Sequence, residues 1–129
     1  KVNMRTAKIK INGKEYLLCF STRVMRDCTE RYGGIENISE ALSGGDTVKI
    51  LDECFWLLAQ MMAAGAKYAT VEGLPTPEPL SCDDLYDLCS VDDMLDMKAH
   101  IMETISEGCR REIEVETEQE KNAQTTRTN

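Results

Sequence analysis

The stretch KIKINGKEYLLCF, residues 8–20, predicts a β-hairpin at the start of a chain whose remaining patterns are helical. Asn12 and Gly13 are the strongest hairpin signal, because a type I′ turn needs positive φ at both of its central residues. Pairing outward from this turn gives one apolar face and one charged face. The predicted pairs are Ile11 with Lys14, Lys10 with Glu15, Ile9 with Tyr16, and Ala7 with Leu18. Because a lone hairpin is marginal in water, its apolar face must pack on helices or beside a neighbour's sheet edge.

The size and charge of the chain limit the kinds of protein that it can be. Its 129 residues are enough for one domain with a real core. The formal net charge of −8, with basic clusters no longer than a pair, argues against a nucleic-acid partner. The uncharged run 54–66 is shorter than the ~20 residues that cross a bilayer. We therefore expect neither nucleic acid nor a membrane as partner.

Cysteine usage and the first residues indicate the compartment. The chain has six cysteines, mostly within apolar segments, where a free thiol packs as a small hydrophobic group. Residues 1–12 alternate basic and apolar side chains instead of showing the continuous apolar run of a signal peptide. We expect a reduced, cytoplasmic protein.

Cap and stop residues predict the helices. Ser81 with Asp84 and Ser90 with Asp93 have the spacing of capping boxes, and Gly33 is a helix stop. The expected segments are a first helix from Ser21 or Thr22 to Gly33, a short turn at 38–42, the longest apolar helix at roughly 47–68, a short helix after Ser81, and a last helix at about 91–111.

These patterns predict an α+β, mostly α fold, in which an N-terminal β-hairpin packs on a bundle of about four to five helices. The hairpin, 7–20, and the helices, about 22–111, would form a single globular domain, 7–111. Residues 1–6 would be an N-terminal extension. Residues 112–129 are polar and acidic, with few apolar residues, and we expect a disordered tail.

The sequence contains no motif of an enzyme or of a metal site. Phosphate loops, dinucleotide fingerprints and nucleophile elbows are absent, and Cys82 and Cys89 lack the C-x-x-C spacing of zinc sites. His100, the single histidine, is expected to be a solvated helix residue. The alternative, an enzyme that uses a cysteine with His100, predicts a thiol of lowered pKa near that imidazole. We expect no enzyme activity, no cofactor and no metal.

Trp56 and the methionines are the candidates for a partner-binding surface. Trp56 lies on the polar stripe of its helix. Either the hairpin or the last helix covers it, or it anchors a partner, since tryptophan is enriched in binding hot spots. Methionines on core stripes either fill gaps or line an adaptable groove, whereas Met97 lies off the main stripe and is the better surface candidate. The candidate partner-binding residues are Trp56, Met61, Met62 and Met97.

The order of these segments resembles a known protein family. The stretch KIKINGKEYLLCFSTRVMRDCTERYGG, residues 8–34, resembles the opening of tail assembly chaperones from long-tailed phages and prophages of Gram-positive bacteria. The stretch LSCDDLYDLCSVDDMLDMKAHIMETISEG, residues 80–108, is similar to their closing segment, in which an acidic helix leads into an amphipathic helix and a polar tail. The resemblance covers most of residues 7–111, whereas the run 54–66 and the LPTPEP connection depart from it.

This resemblance implies a non-enzymatic role. Members of the family are thought to coat the tape-measure protein, keep it soluble, help to recruit tail-tube subunits, and leave before the virion is finished. The tape-measure and tail-tube proteins are then the expected partners, in the host cytoplasm. Copies of the chain would associate through the outer side of the hairpin, at Lys8, Lys10, Leu17 and Cys19. The alternative is a phage or prophage structural adaptor, either a head–tail joining or a regulatory binding protein, that forms a fixed oligomer.

Overall fold

A computed structural model describes residues 6–90, 92–93 and 96–109 of the chain. It confirms the α+β, mostly α prediction. The elements are β1 (Thr6–Ile11), β2 (Lys14–Cys19), α1 (Thr22–Tyr32), a 3₁₀ turn (Ile35–Asn37), α2 (Ile38–Ala41), α3 (Thr47–Glu72), α4 (Cys82–Leu88), and helical residues 92–93 and 96–109, the latter named α5. Thr6 belongs to β1, whereas residues 1–5 of the predicted extension and the predicted tail 112–129 lie outside the described residues.

The hairpin has the predicted register. Asn12 and Gly13 adopt φ values of 52° and 81°, so both central residues of the turn have the positive φ of type I′. All four predicted cross-strand pairs are present, including Lys10 opposite Glu15. The ion pair is diagonal, however, because Lys8 Nζ lies 3.9 Å from Glu15 Oε1. Both side chains are exposed, so this pair adds little stability and the turn and the apolar face set the register.

Capping residues begin and end both α1 and α3, and those of α1 are the predicted Ser21 and Gly33. Ser21 Oγ accepts a backbone hydrogen bond at 3.3 Å at the start of α1, and Gly33 ends that helix at φ 86°. Asp46 caps α3. This helix continues beyond the predicted 47–68, because the next residue that stops a helix is Gly73, which adopts φ 72°.

Both predicted capping boxes are formed. Ser81 and Asp84 exchange two hydrogen bonds of 3.1 Å at the start of α4. Ser90 and Asp93 exchange bonds of 2.9 and 3.1 Å ahead of α5. Each box satisfies two backbone N–H groups that a helix start leaves without partners, so these residues fix where α4 and the last helical segment begin.

The central helix is α3, which packs against β2, α1 and α4. Its closest approach to the hairpin is at Gly65, where a Cβ would lie 1.9 Å from the carbonyl oxygen of Leu17. The apolar face of the hairpin and one side of every α-helix meet around it. Members of this core are Ile9, Ile11, Tyr16, Leu18, Val24, Cys28, Ile38, Leu57, Leu58, Met61, Met62, Leu85, Met97, Ile101 and Ile105.

The buried stripe of α5 includes Met97, which the sequence analysis placed off it. Met97, Ile101, Thr104 and Ile105 are at most 4% exposed and follow the i, i+4, i+7, i+8 spacing of one helix face. Thr104 can be buried because its hydroxyl donates to the carbonyl oxygen of His100 at 2.8 Å. The prediction that Met97 lies at the surface is wrong.

Candidate functional site

Trp56 lies on the outward side of α3 and is partly buried. Its indole is covered by α1: the guanidinium carbon of Arg31 lies 4.3 Å from a ring centroid, and the Tyr32 ring meets it edge-on at 6.0 Å. These distances are typical of a cation–π contact and of a T-shaped aromatic pair. These ring contacts come from α1, whereas the sequence suggested either a cover from the hairpin or the last helix, or a partner anchored at Trp56.

Glu53, one helical turn before Trp56, holds Arg31 in place. Its carboxylate accepts hydrogen bonds from Arg31 Nε at 2.9 Å and from the Tyr32 hydroxyl at 2.6 Å. The bond from Arg31 is the main cause that lowers the pKa of Glu53, so the carboxylate stays ionised. Burial, followed by the bond to Glu53, raises the pKa of Tyr32, which stays a neutral donor. These four residues, hereafter the Trp56 cluster, form a preorganised group.

An open cleft of about 640 Å³ borders the Trp56 cluster between the end of α1, α2 and the start of α3. Asn37 fixes one wall, because its Nδ2 donates to the last carbonyl of α1 at 2.8 Å. The lining carries two cations, Arg31 and Lys49, and two carboxylates, Glu40 and Glu53. Because the positive and negative charges balance, the cleft favours neither an anionic nor a cationic ligand. Such a mixture of charges is typical of the polar rim of a protein–protein contact.

The predicted methionine contacts are not at the surface. Met61 and Met97 are 0% exposed and Met62 is 1% exposed, so in this conformation none of them reaches a partner. Met62 Sδ also accepts a hydrogen bond from the backbone N–H of Leu80 at 3.2 Å. All three fill space between packed elements, the role that a flexible thioether performs well in a core. Of the predicted partner-binding residues, Trp56 alone is partly exposed.

The predicted self-association residues separate into two groups. Lys8 and Lys10, on β1, are exposed. Leu17 is partly buried, and its carbonyl faces α3, whereas Cys19 is only 3% exposed. Both belong to β2, which is covered by α3, so the prediction that they form an outer edge is wrong. The exposed charged side chains of the hairpin are Lys8 and Lys10 on β1 and Lys14 and Glu15 on β2.

Four of the six thiols do not have the lowered pKa that the enzyme hypothesis predicts. Burial raises the pKa of Cys28 and of Cys89 to about 11, and it also raises the pKa values of Cys54 and Cys82. A nucleophilic cysteine needs the opposite shift. His100 is partly buried rather than solvated, and its Nδ1 has no hydrogen-bond partner within the described part of the chain.

Among the residues that the structure describes, five large apolar side chains are exposed, and sequence reasoning missed them. Tyr86 is held on one side, since its hydroxyl bonds to Asp52 and its ring packs edge-on against Phe55 at 4.4 Å. The exposed set is Val48, Val71, Leu74, Tyr86 and Leu88. Helix α4 buries only Leu85 of its seven residues, so Tyr86 and Leu88 remain exposed.

Comparisons with protein-family models, with curated proteins and with solved structures found no match to this chain. Among the described residues, no group of three or more His, Cys, Asp or Glu side chains is placed to hold a metal ion. None of the described helices is long and apolar enough to span a bilayer. The Trp56 cluster is therefore the candidate site on the strength of its own contacts.

Proposed function

We propose that the chain is a non-enzymatic tail assembly chaperone that binds the tape-measure protein and keeps it soluble during tail building. The resemblance of residues 8–34 and 80–108 to that family supports the identity of the partner. The observation that carries the binding surface is the Trp56 cluster. Tryptophan, tyrosine and arginine are the residue types most enriched in hot spots, and here they meet at one partly exposed position.

The physics of this role matches the geometry of the cluster. A long helical protein that is not yet assembled exposes apolar stripes, which aggregate. The indole of Trp56 offers a rigid apolar contact, and Glu53 already orders Arg31, so binding would immobilise few further side chains. The net charge of −8 would add to the solubility of the complex.

The proposal includes the place and the timing of action. The chain would act in the host cytoplasm, contact tail-tube subunits as a second partner, and leave before the virion is finished. Weak association between adjacent copies would add avidity along the tape-measure rod. A fixed, closed oligomer would instead indicate the structural adaptor.

Coexpression with the long coiled-coil protein encoded beside it tests the proposal. We expect copurification with the partner kept soluble, and Trp56→Ala should weaken binding by roughly tenfold or more, the loss typical of a hot spot. Lys67→Ala is the matched control, because Lys67 is exposed on the same helix about 16 Å away. Thermal melting of both variants confirms that they remain folded.

One result would refute the proposed function, and a second would refute only the proposed binding surface. If the partner stays insoluble, and light scattering shows that this chain elutes alone as a closed ring, the structural adaptor is supported instead. If Trp56→Ala and Lys67→Ala both copurify with the partner as well as the unmodified chain does, the partner is supported, but the Trp56 cluster is excluded as its binding surface.

A further inference from the structure

Residues 74–80, LPTPEPL, connect α3 to α4 and are hereafter the proline segment. A proline fixes its own φ at about −65° and keeps the residue before it out of the helical region. Because a proline occupies every second position, each residue from Leu74 to Pro79 is restricted. The segment has no cis peptide bond and no positive φ, and it is neither helix nor strand. These restrictions favour the polyproline II conformation.

The two ends of the proline segment are fixed, and their separation agrees with that conformation. The N–H of Leu74 donates to the carbonyl oxygen of Ala69 at 2.8 Å, so the segment begins at the end of α3. The N–H of Leu80 donates to Met62 Sδ at 3.2 Å, so the chain has returned along the same helix. The helix rises about 17 Å from Met62 to its cap, Gly73, and the steps from Leu74 to Leu80 span about 19 Å in polyproline II. The segment is therefore extended.

One edge of the proline segment lies toward the core and another is exposed. Residues three positions apart share an edge, because polyproline II has three residues per turn. Pro77 and Leu80 are half-buried, and Leu80 packs against the core. Pro75 and Glu78, on the next edge, are exposed. No hydrogen bond among the described residues involves the backbone of residues 75–79, so their carbonyl oxygens can accept bonds from outside the chain.

Exposed apolar side chains continue this surface onto the end of α3. Val71 is 76% exposed and Leu74 is 45% exposed. Two carboxylates, those of Glu72 and Glu78, are also exposed. The surface thus combines proline rings, apolar side chains and negative charge.

We propose that the proline segment docks in an aromatic-lined groove of a partner protein, with Leu74, Pro75 and Pro79 as its contacts. Such grooves recognise polyproline II, because aromatic faces pack on the apolar rings while tryptophan and tyrosine donate to the carbonyl oxygens. The segment is ordered before binding, so docking costs little conformational entropy. The exposed Glu72 and Glu78 fit a groove with a basic rim.

This surface is distinct from the Trp56 cluster. From Trp56 to Gly73, at the start of the proline segment, α3 rises about 25 Å. A partner in the aromatic groove would therefore bind independently of one that contacts Trp56, and the inference goes beyond the proposed function.

NMR titration of the full chain with purified SH3, WW and EVH1 domains tests the proposal, because each domain has an aromatic-lined groove. We expect at least one domain to shift the amide resonances of residues 71–80, and alanine in place of its groove aromatics to remove the shifts. Pro75→Ala should weaken this binding about tenfold, since an exposed ring and a backbone restriction are both lost. Pro77→Ala, the matched control, loses the same restriction but a half-buried ring, so binding should weaken by only about two- to fivefold. Thermal melting checks that both variants remain folded.

Several results overturn the proposal. If none of the domains shifts these resonances at about 1 mM, the proline segment is a stiff connection only. If the domains with altered grooves bind equally well, or if Pro75→Ala and Pro77→Ala have equal effects, the exposed rings are not the contact. Trp56→Ala should leave this binding unchanged, and a loss in that variant would place the contact at the Trp56 cluster instead. None of these outcomes depends on the proposed chaperone function.

Discussion

Gly65→Ala tests the close approach of α3 to β2, around which the core is arranged. A Cβ at this position would lie 1.9 Å from Leu17 O, 2.5 Å from Leu17 C and 3.1 Å from Leu18 N. All three are backbone atoms, so no change of rotamer relieves the contact. The helix and the strand would have to separate by roughly 1 Å, and a close-packed interior transmits such a shift to its neighbours.

Two opposing effects determine how much Gly65→Ala changes the free energy of unfolding. Alanine favours an exposed helix over glycine by about 1 kcal/mol. Overpacking a core costs about 1–3 kcal/mol, and the need for a backbone shift at Gly65 places this cost at the upper end. We expect a net loss of about 2 kcal/mol in the free energy of unfolding. For a domain of about 100 residues, this lowers Tm by roughly 10 °C.

Urea denaturation followed by the fluorescence of Trp56, the single tryptophan, measures this loss. Ala63→Gly, on the exposed side of the same helix, measures the propensity effect alone and should cost about 1 kcal/mol. If Gly65→Ala is as stable as the unmodified chain or more stable, α3 and β2 do not approach as closely as described, and the reasoning is refuted.

Other substitutions probe a cap, the Trp56 cluster and a thiol. Ser81→Ala should lower the free energy of unfolding by about 1 kcal/mol in urea, because the capping box is lost. The lowered pKa of Glu53 gives stability that is present above its unfolded pKa and is lost as pH falls through the folded pKa, so Glu53→Gln should flatten the acid-side decline in Tm. Arg31→Ala should shift Trp56 emission to longer wavelength as water reaches the indole. Burial raises the pKa of Cys28 to about 11, so alkylation near neutral pH should be at least about tenfold slower than in the urea-unfolded chain.

Each of these measurements has a result that would contradict the structure. Glu103→Gln, which removes an exposed carboxylate from α5, should change the acid-side decline less than Glu53→Gln. Equal declines in the unmodified chain and in Glu53→Gln would contradict the pairing with Arg31. Unchanged emission in Arg31→Ala would contradict the cation–π contact, and full stability of Ser81→Ala would contradict the capping box. Rapid alkylation of Cys28 in the folded chain would contradict its burial.

Local features of the fold were predictable because each depends on residues that are close in sequence. The turn at Asn12 and Gly13 needs positive φ, and the alternation of apolar residues on either side then allows one register. The capping boxes join residues three positions apart, so Ser81 and Asp84 predict their own hydrogen bonds. The same rules predict residues that stop a helix, but not how far a weakly patterned helix continues toward Gly73.

The candidate site was less predictable because its contacts are long-range. The polar stripe of α3 looks the same whether or not another helix crosses it, so nothing near Trp56 indicates that Arg31 covers its ring. The apolar periodicity of the last helix placed Met97 at the surface for a different reason. Thr104 counts as polar in a stripe, yet its hydroxyl is satisfied by the carbonyl of His100, and the true buried face runs through both Met97 and Thr104.

The Trp56 cluster and the hairpin lie on opposite sides of α3, so their roles in partner binding can be tested separately. Trp56 and Gly65 are nine residues apart, which is two and a half turns at about 3.6 residues per turn, so they lie on opposite sides of α3. The Gly65 side faces β2, which separates α3 from β1. Trp56→Ala should therefore weaken partner binding without changing amide exchange in β1, and Lys8→Glu with Lys10→Glu should leave partner binding unchanged. If Lys8→Glu with Lys10→Glu instead releases the partner while Trp56→Ala does not, the partner binds at the hairpin and the proposed binding surface is wrong.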